Sequence, residues 1–155
     1  MVESMEELLE TVPVFEGLSS EFLNTIAGCA SNVRFDEGQT LFEEDEEANR
    51  FFIVRQGLVA VDMHVPGQGP VTILTVREGE VVGWSWLFAP YRWQFDARAV
   101  ESTRALAFDA RCLRGKCDED PALGYELMRR FARVIVQRVQ ATRLQILDVY
   151  GHAHS

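Results

Sequence analysis

From Val33 to Phe108 the chain is cut into short runs rich in valine, isoleucine and phenylalanine by turn chemistry that returns about every ten residues. The interruptions are Asp36-Glu37-Gly38, Gln56-Gly57, Pro66-Gly67-Gln68-Gly69-Pro70 and Arg77-Glu78-Gly79-Glu80. Each contains a glycine, the residue that most freely adopts the backbone of tight turns. Runs of this length are too short for helices, and their spacing suits an antiparallel roll or barrel. Phe51 to Val65 reads as two strands joined at Gln56-Gly57, Val71 to Val76 as a third, and Ala105 to Phe108 as the last. The acidic run Glu43 to Glu47 falls between strands and reads as a solvated turn, since it lacks the alternating oxygen ligands around a glycine that a calcium loop needs.

Helical periodicity flanks this region. Residues 4–12 place Leu8, Leu9 and Val12 on one face, and residues 19–29 place Phe22, Leu23 and Ile26 on another, with Ser19 or Ser20 at the N-cap. Asp120-Pro121 opens a further helix with a capping carboxylate and a proline at the first position, where its missing N–H costs nothing. From Pro121 to about Tyr150 only Gly124, in the first turn, interrupts the pattern, which predicts roughly eight turns. Leu127, Phe131 and Val134 face the body of the domain. Met128, Ala132, Ile135, Val139, Thr142, Ile146 and Val149 repeat with the four-three spacing of a coiled-coil seam, which predicts a parallel homodimer through this helix with Thr142 as a polar seam position. The expected fold is mainly β with flanking α: one domain with N-terminal helices (1–30), an antiparallel β-roll of the jelly-roll kind (31–108), C-terminal helices (109–150) and a short tail (151–155).

Composition excludes several classes of function. Fifteen Lys and Arg against 24 Asp and Glu give a formal net charge of −9, which repels nucleic acid and anionic lipid. No apolar run approaches the roughly twenty residues of a membrane span, and the acidic start MVESMEELLE is unlike a secretory leader, so a cytoplasmic protein is expected. Cys29, Cys112 and Cys117 are odd in number and lack metal-ligand spacing, so reduced thiols are expected, with neither a disulfide framework nor a zinc site. Arg111, Arg114 and Lys116 around Cys112 and Cys117 are the groups that could lower a thiol pKa. His64 lies far from His152 and His154, and no nucleophile-base pair or glycine-rich nucleotide loop is present, so neither a metal site nor catalysis is expected.

The order of elements resembles the cyclic nucleotide-binding domain of the catabolite activator and Fnr class over nearly the whole chain. VPVFEGLSSEFLNTIA is similar to the family's N-terminal helix entry, GQTLFEEDEEANRFFIVRQGLVAV to its signature strand pair with the turn glycine Gly57, and GEVVGWSWLF to the opening of its phosphate-binding cassette, here residues 79–99. Asp45 stands where the family keeps glycine. The resemblance implies a cassette whose backbone amides hold a cyclic phosphate, a glutamate for the ribose hydroxyl, an arginine for the phosphate and a terminal-helix threonine for the base. Aligned on Gly79 and Gly83, the ribose position falls on Trp84; aligned on Arg98-Ala99, the phosphate position falls on Trp93, with Gln94 next and Arg92 one residue away. QATR places Thr142 and Arg143 where the helix meets the base.

The candidate ligand-binding residues are therefore Gly83, Trp84, Ser85, Trp86, Leu87, Arg92, Trp93, Gln94, Thr142 and Arg143. Three readings follow: a non-catalytic sensor in which the aromatic residues line a pocket for another small planar ligand; a ligand-free dimeric scaffold in which they fill it; or a cyclic AMP or cyclic GMP binder that uses a displaced Arg92. No cofactor or metal is implied, and the protein partner is unspecified. The family's activators carry a helix-turn-helix domain after the long helix, for which a protein of this length alone has no room.

Overall fold

Short-range capping sets the first helices of the computed structural model, which describes residues 4–153 and side chains as far as Ala141. Ser4 Oγ accepts a hydrogen bond from Glu7 N to open α1 (Met5–Glu10), and Ser19 Oγ accepts one from Phe22 N to open α2 (Ser20–Ala27), each at 3.2 Å. Between them, Pro13–Phe15 makes one 3₁₀ turn that buries Phe15.

Eight strands follow: β1 (Ala30–Phe35), β2 (Thr40–Phe42), β3 (Arg50–Gln56), β4 (Val59–Val65), β5 (Gly69–Val76), β6 (Val81–Val82), β7 (Asp96–Ala99) and β8 (Thr103–Asp109). They form two antiparallel four-stranded sheets, ordered β1-β8-β3-β6 and β2-β7-β4-β5. The β-roll expected from the turn spacing is the observed architecture. One expected strand starts earlier than its sequence suggests: β5 begins at Gly69, because pairing with β4 continues back to Val65 opposite Gly69 and absorbs the last two residues of the PGQGP segment. Gly57, at φ +117°, closes the β3-β4 turn in a conformation that side chains strain to adopt. Asp45 takes φ +72°, so the aspartate occupies a left-handed position that suits glycine better.

After β8, Asp109 caps α3 (Ala110–Glu119), and Asp120 caps α4 (Pro121–Ala153) by accepting from the amides of Ala122 and Leu123 at 3.2 and 3.4 Å. Leu123, Leu127 and Phe131 of α4 are fully buried. Phe131 meets Phe51 edge to face at 5.4 Å, Phe51 stacks on Phe108 at 4.6 Å, and Phe15 closes on Phe108 at 5.8 Å. This aromatic cluster fixes the helices against the outer side of the β3-β8 pair. Of the expected coiled-coil seam, Met128, Ala132 and Val139 are exposed while Ile135 is half-buried. Thr142, Ile146 and Val149 lie outside the residues whose side chains are described.

The cysteines depart from expectation. Cys29 and Cys112 form a disulfide with Cα atoms 5.8 Å apart, although 83 positions separate them. The sheet register brings them together: Ala30 pairs with Phe108, the amide of Asp109 donates to Cys29 O at 2.8 Å, and the first turn of α3 then carries Cys112 over Cys29. Cys117 alone remains a thiol among the three. Its pKa is pushed up rather than down, by burial first and then by Asp118 and Asp120, so the neighbouring cations do not activate it.

Candidate functional site

The cassette begins at Gly79, whose amide donates to Val54 O at 2.7 Å, and runs through β6 to Gly83. Gly79 and Gly83 both adopt left-handed backbone, at φ +85° and +87°. A single 3₁₀ turn, Ser85–Leu87, follows, in which the Leu87 and Phe88 amides donate to Trp84 O and Ser85 O. These amides are thus already paired within the turn and do not project as an open anion cradle.

The three tryptophans of the cassette do three different things. Trp86 is fully buried, stacked on Phe51 at 4.4 Å and edge-on to Phe131 at 5.2 Å, so it pins the cassette to the aromatic cluster beneath α4. Arg114 of α3 holds the same turn from outside, donating to Trp86 O at 2.6 Å and Ala48 O at 3.3 Å while lying 4.3 Å over the Tyr91 ring. Trp93 is 3% exposed and stacks on Phe42 at 3.8 Å with the rings almost parallel. Its ring packs against Gly83, where any Cβ would overlap it. Trp84 is only half-buried, and the guanidinium of Arg138 lies 5.2 Å over its ring.

Arg92 does not enter the pocket. Its side chain is exposed and donates from Nη1 to Asp45 O at 2.7 Å, and Glu47 and Arg92 form an isolated antiparallel bridge. The alternative reading that turns Arg92 inward meets a backbone obstacle. The Trp93 amide donates to Glu46 O and the Asp45 amide to Trp93 O, which locks this segment in a register that turns Trp93 in and Arg92 out.

A cavity of about 490 Å³ remains between the inner face of the β2-β7-β4-β5 sheet, the cassette and α4. Of the candidate residues, Gly83, Trp84, Ser85, Trp93 and Gln94 line it. Trp86, Leu87 and Arg92 do not, and the side chains of Thr142 and Arg143 lie outside those described. Sequence reasoning missed much of the wall: Phe42 of β2, Val61 and Met63 of β4, Ile73 and Leu74 of β5, Phe95, and Ile135, Arg138, Val139 and Ala141 of α4. Period-two alternation along β4 was a usable signal for Val61 and Met63. For Arg138 the signal was the domain-facing row Leu127, Phe131, Val134, which the same helical step continues to position 138.

Among the described residues, Arg138 is the one ionisable residue on this wall. It also borders a second, larger cleft of about 800 Å³, lined by Pro13, Glu78, Glu80 and Arg130 among others. Its Nη2 donates to Val81 O, tying α4 to the start of the cassette. Burial pulls its pKa below the usual guanidinium value, with nearby Glu80 opposing the shift; an arginine starts so high that it stays charged at neutral pH. Among the described residues, no group of three or more His, Cys, Asp or Glu side chains could hold a metal ion. No described helix is long and apolar enough to cross a membrane.

Comparison with known proteins accounts for this geometry. The chain is 25% identical over 146 residues to a CRP-like cAMP-activated global transcriptional regulator of Mycobacterium tuberculosis, a match covering 94% of this chain and 63% of that protein. A solved structure from Geobacter metallireducens superposes with a TM-score of 0.80 at 27% identity, covering 90% of this chain and 99% of that one. The catabolite activator protein of Thermus thermophilus shares the fold with a TM-score of 0.69 at 21% identity, over 90% of this chain and 63% of its own. The family model for the cyclic nucleotide-binding domain matches residues 32–120, from within β1 to the residue before α4, and the chain belongs to that family.

Proposed function

We propose that this chain is a non-catalytic sensor module in which a small planar, largely apolar ligand takes the place of a cyclic nucleotide. One observation carries the reading. The buried Trp93 ring, stacked on Phe42 and packed against Gly83, stands where the family resemblance puts the phosphate partner, while the apolar cavity beside it stays open. At about 490 Å³ that cavity falls in the range of small-molecule sites, which are typically apolar with a few orienting polar groups. The opposite outcome, aromatic residues filling the roll completely, describes Trp86 and Trp93 but not Trp84.

Membership of the family and the description of the mycobacterial relative as cAMP-activated support ligand-gated regulation as the general role. Loss of the ribose and phosphate partners argues against cyclic nucleotides here, because an unmatched charged group typically costs a few kcal/mol, or about two decades of affinity. Readout passes through α4, which contributes Ile135, Arg138 and Val139 to the cavity wall. Exposed Met128, Val136 and Val139 on the same helix support a homodimer as the form in which that readout is made.

The test is calorimetry with thermal shift against cyclic AMP, cyclic GMP and cyclic dinucleotides up to about 1 mM, the weak end of specific binding. The expected result is no saturable response, alongside a change in tryptophan emission when 2-naphthamide, a neutral aromatic probe, is titrated. A saturable rise in Tm with one cyclic mononucleotide, lost in Arg92→Ala, overturns the reading.

A further inference from the structure

The bridge between Cys29 and Cys112 is not sealed in the core. Cys29 is buried and Cys112 half-buried, and both border an open cleft of about 600 Å³ with Asn49, Arg50, Asp109 and Arg111 among its other walls. These walls come from the α2-β1 junction, β3, β8 and α3, so the cleft is separate from the cavity beside Trp84. Two guanidiniums and one carboxylate line it, a positive balance in a chain whose formal net charge is −9. The carboxylate, Asp109, is turned to its own helix and accepts from the Cys112 amide at 3.0 Å. Arg111 pairs with Glu47 at 3.1 Å, and Arg50 lies 5.2 Å over the Phe52 ring, a contact that does not neutralise its charge.

We infer that the Cys29–Cys112 bridge is a thiol-exchange site for a small anionic thiol, which becomes attached to Cys112 as a mixed disulfide. This goes beyond the sensor reading and does not depend on it. The attacking species in such exchange is a thiolate, and access decides which sulfur it reaches. The cleft cations draw an anion in, and the greater exposure of Cys112 directs it there. A first thiolate bonds to Cys112 Sγ, the bridge breaks, and its electron pair leaves on Cys29 Sγ, which takes up a proton. A second thiolate attacks the attached sulfur, so that the small disulfide departs and Cys112 leaves with the electron pair and is protonated in turn. Two thiols are oxidised to one disulfide, and two electrons reduce the bridge. Opening it leaves α3 docked, because other contacts hold that helix: the Asp109 amide donates to Cys29 O and the Ala110 amide to Asn49 O, each at 2.8 Å, Leu113 is fully buried, and Arg114 reaches Ala48 O and Trp86 O. The two sulfurs therefore stay near each other and can rejoin.

The experiment treats the air-oxidised intact chain, without denaturant, with 2-mercaptoethanesulfonate or with its neutral analogue 2-mercaptoethanol. Iodoacetamide quenches the reaction by capping the released thiol, and peptide mass mapping locates the adduct. The expected result is an adduct on Cys112 with Cys29 capped, formed about fivefold faster per thiolate by the anionic reagent, as suits a partly screened attraction. Arg50→Gln should at least halve that preference while the neutral reagent still opens the bridge. An adduct on Cys29, equal rates for the two reagents, or opening only after urea is added overturns the assignment, and so does air-treated protein in which all three cysteines titrate as free thiols. An undiminished preference in Arg50→Gln overturns the role of the cleft. The comparison of the two reagents on the unaltered protein decides the matter even if the variant does not fold.

Discussion

In the β1-β8-β3-β6 sheet, Phe51 to Val54 and Ala105 to Phe108 are buried in unbroken runs, because helices cover one face and the opposite sheet covers the other. In the β2-β7-β4-β5 sheet, burial runs out along β4 after Asp62, Met63 is 41% exposed and Ile73 38%. The outer face of this second sheet is polar. Asp62 there is buried but satisfied, accepting from Arg98 Nε at 2.8 Å and Thr72 Oγ1 at 2.6 Å. Its inner face carries Phe42, Val61 and Met63 along one wall of the cavity. A sheet covered on both sides has no freedom left for a ligand, whereas one with a wet face can leave its dry face incompletely filled.

Substitutions break this contrast at its strongest point first. Phe51→Ala should cost about 3–5 kcal/mol in chemical denaturation, against under about 1 kcal/mol for Met63→Ala, because only the first opens a sealed cavity. Similar losses at the two positions would mean that the second sheet is as tightly covered as the first. Arg114→Ala removes the bonds to Trp86 O and Ala48 O and the contact with Tyr91, for an expected loss of about 1.5–3 kcal/mol. Hydrogen exchange at Leu87 and Phe88 should rise in that variant, and unchanged protection would show that the cassette is anchored by Trp86 alone. Gly83→Ala should cost about 1–3 kcal/mol, since it strains φ +87° and collides with Trp93. Adding Trp93→Phe should recover the collision part of that loss and not the backbone part. The smallest effect is a gain: Asp45→Gly should stabilise by up to about 1 kcal/mol by relieving a left-handed aspartate, read as a shift of the denaturation midpoint at unchanged slope.

What was legible in the sequence was local or periodic. Ser19 and Asp120 announce their helices by short-range capping, and Gly57 announces its turn through a conformation other residues resist. Gly79 and Gly83 mark the ends of β6 for the same reason, since both are left-handed. The inward turn of Trp93 and outward turn of Arg92 depend on bonds to Asp45 and Glu46, some 47 positions earlier, and no spacing rule reports such a pairing. The Cys29–Cys112 bridge is hidden likewise, because it follows from the β1-β8 register and not from any cysteine motif. Arg138 was missed for a different reason: in a coiled-coil reading of α4 its neighbours Ile135 and Val139 define the seam, whereas in the structure all three line the cavity.

That bridge also changes the connectivity of the molecule. Cys29 stands one residue before β1 and Cys112 three residues after β8, so every strand and the entire cassette lie inside one covalent ring, from which α1 and α2 leave as one tail and α4 as the other. A single peptide-bond break in any inter-strand loop, the Pro66–Gly69 turn for example, opens the ring without dividing the molecule. The two helical ends stay joined through sulfur, and the fragments separate only when a reductant is added.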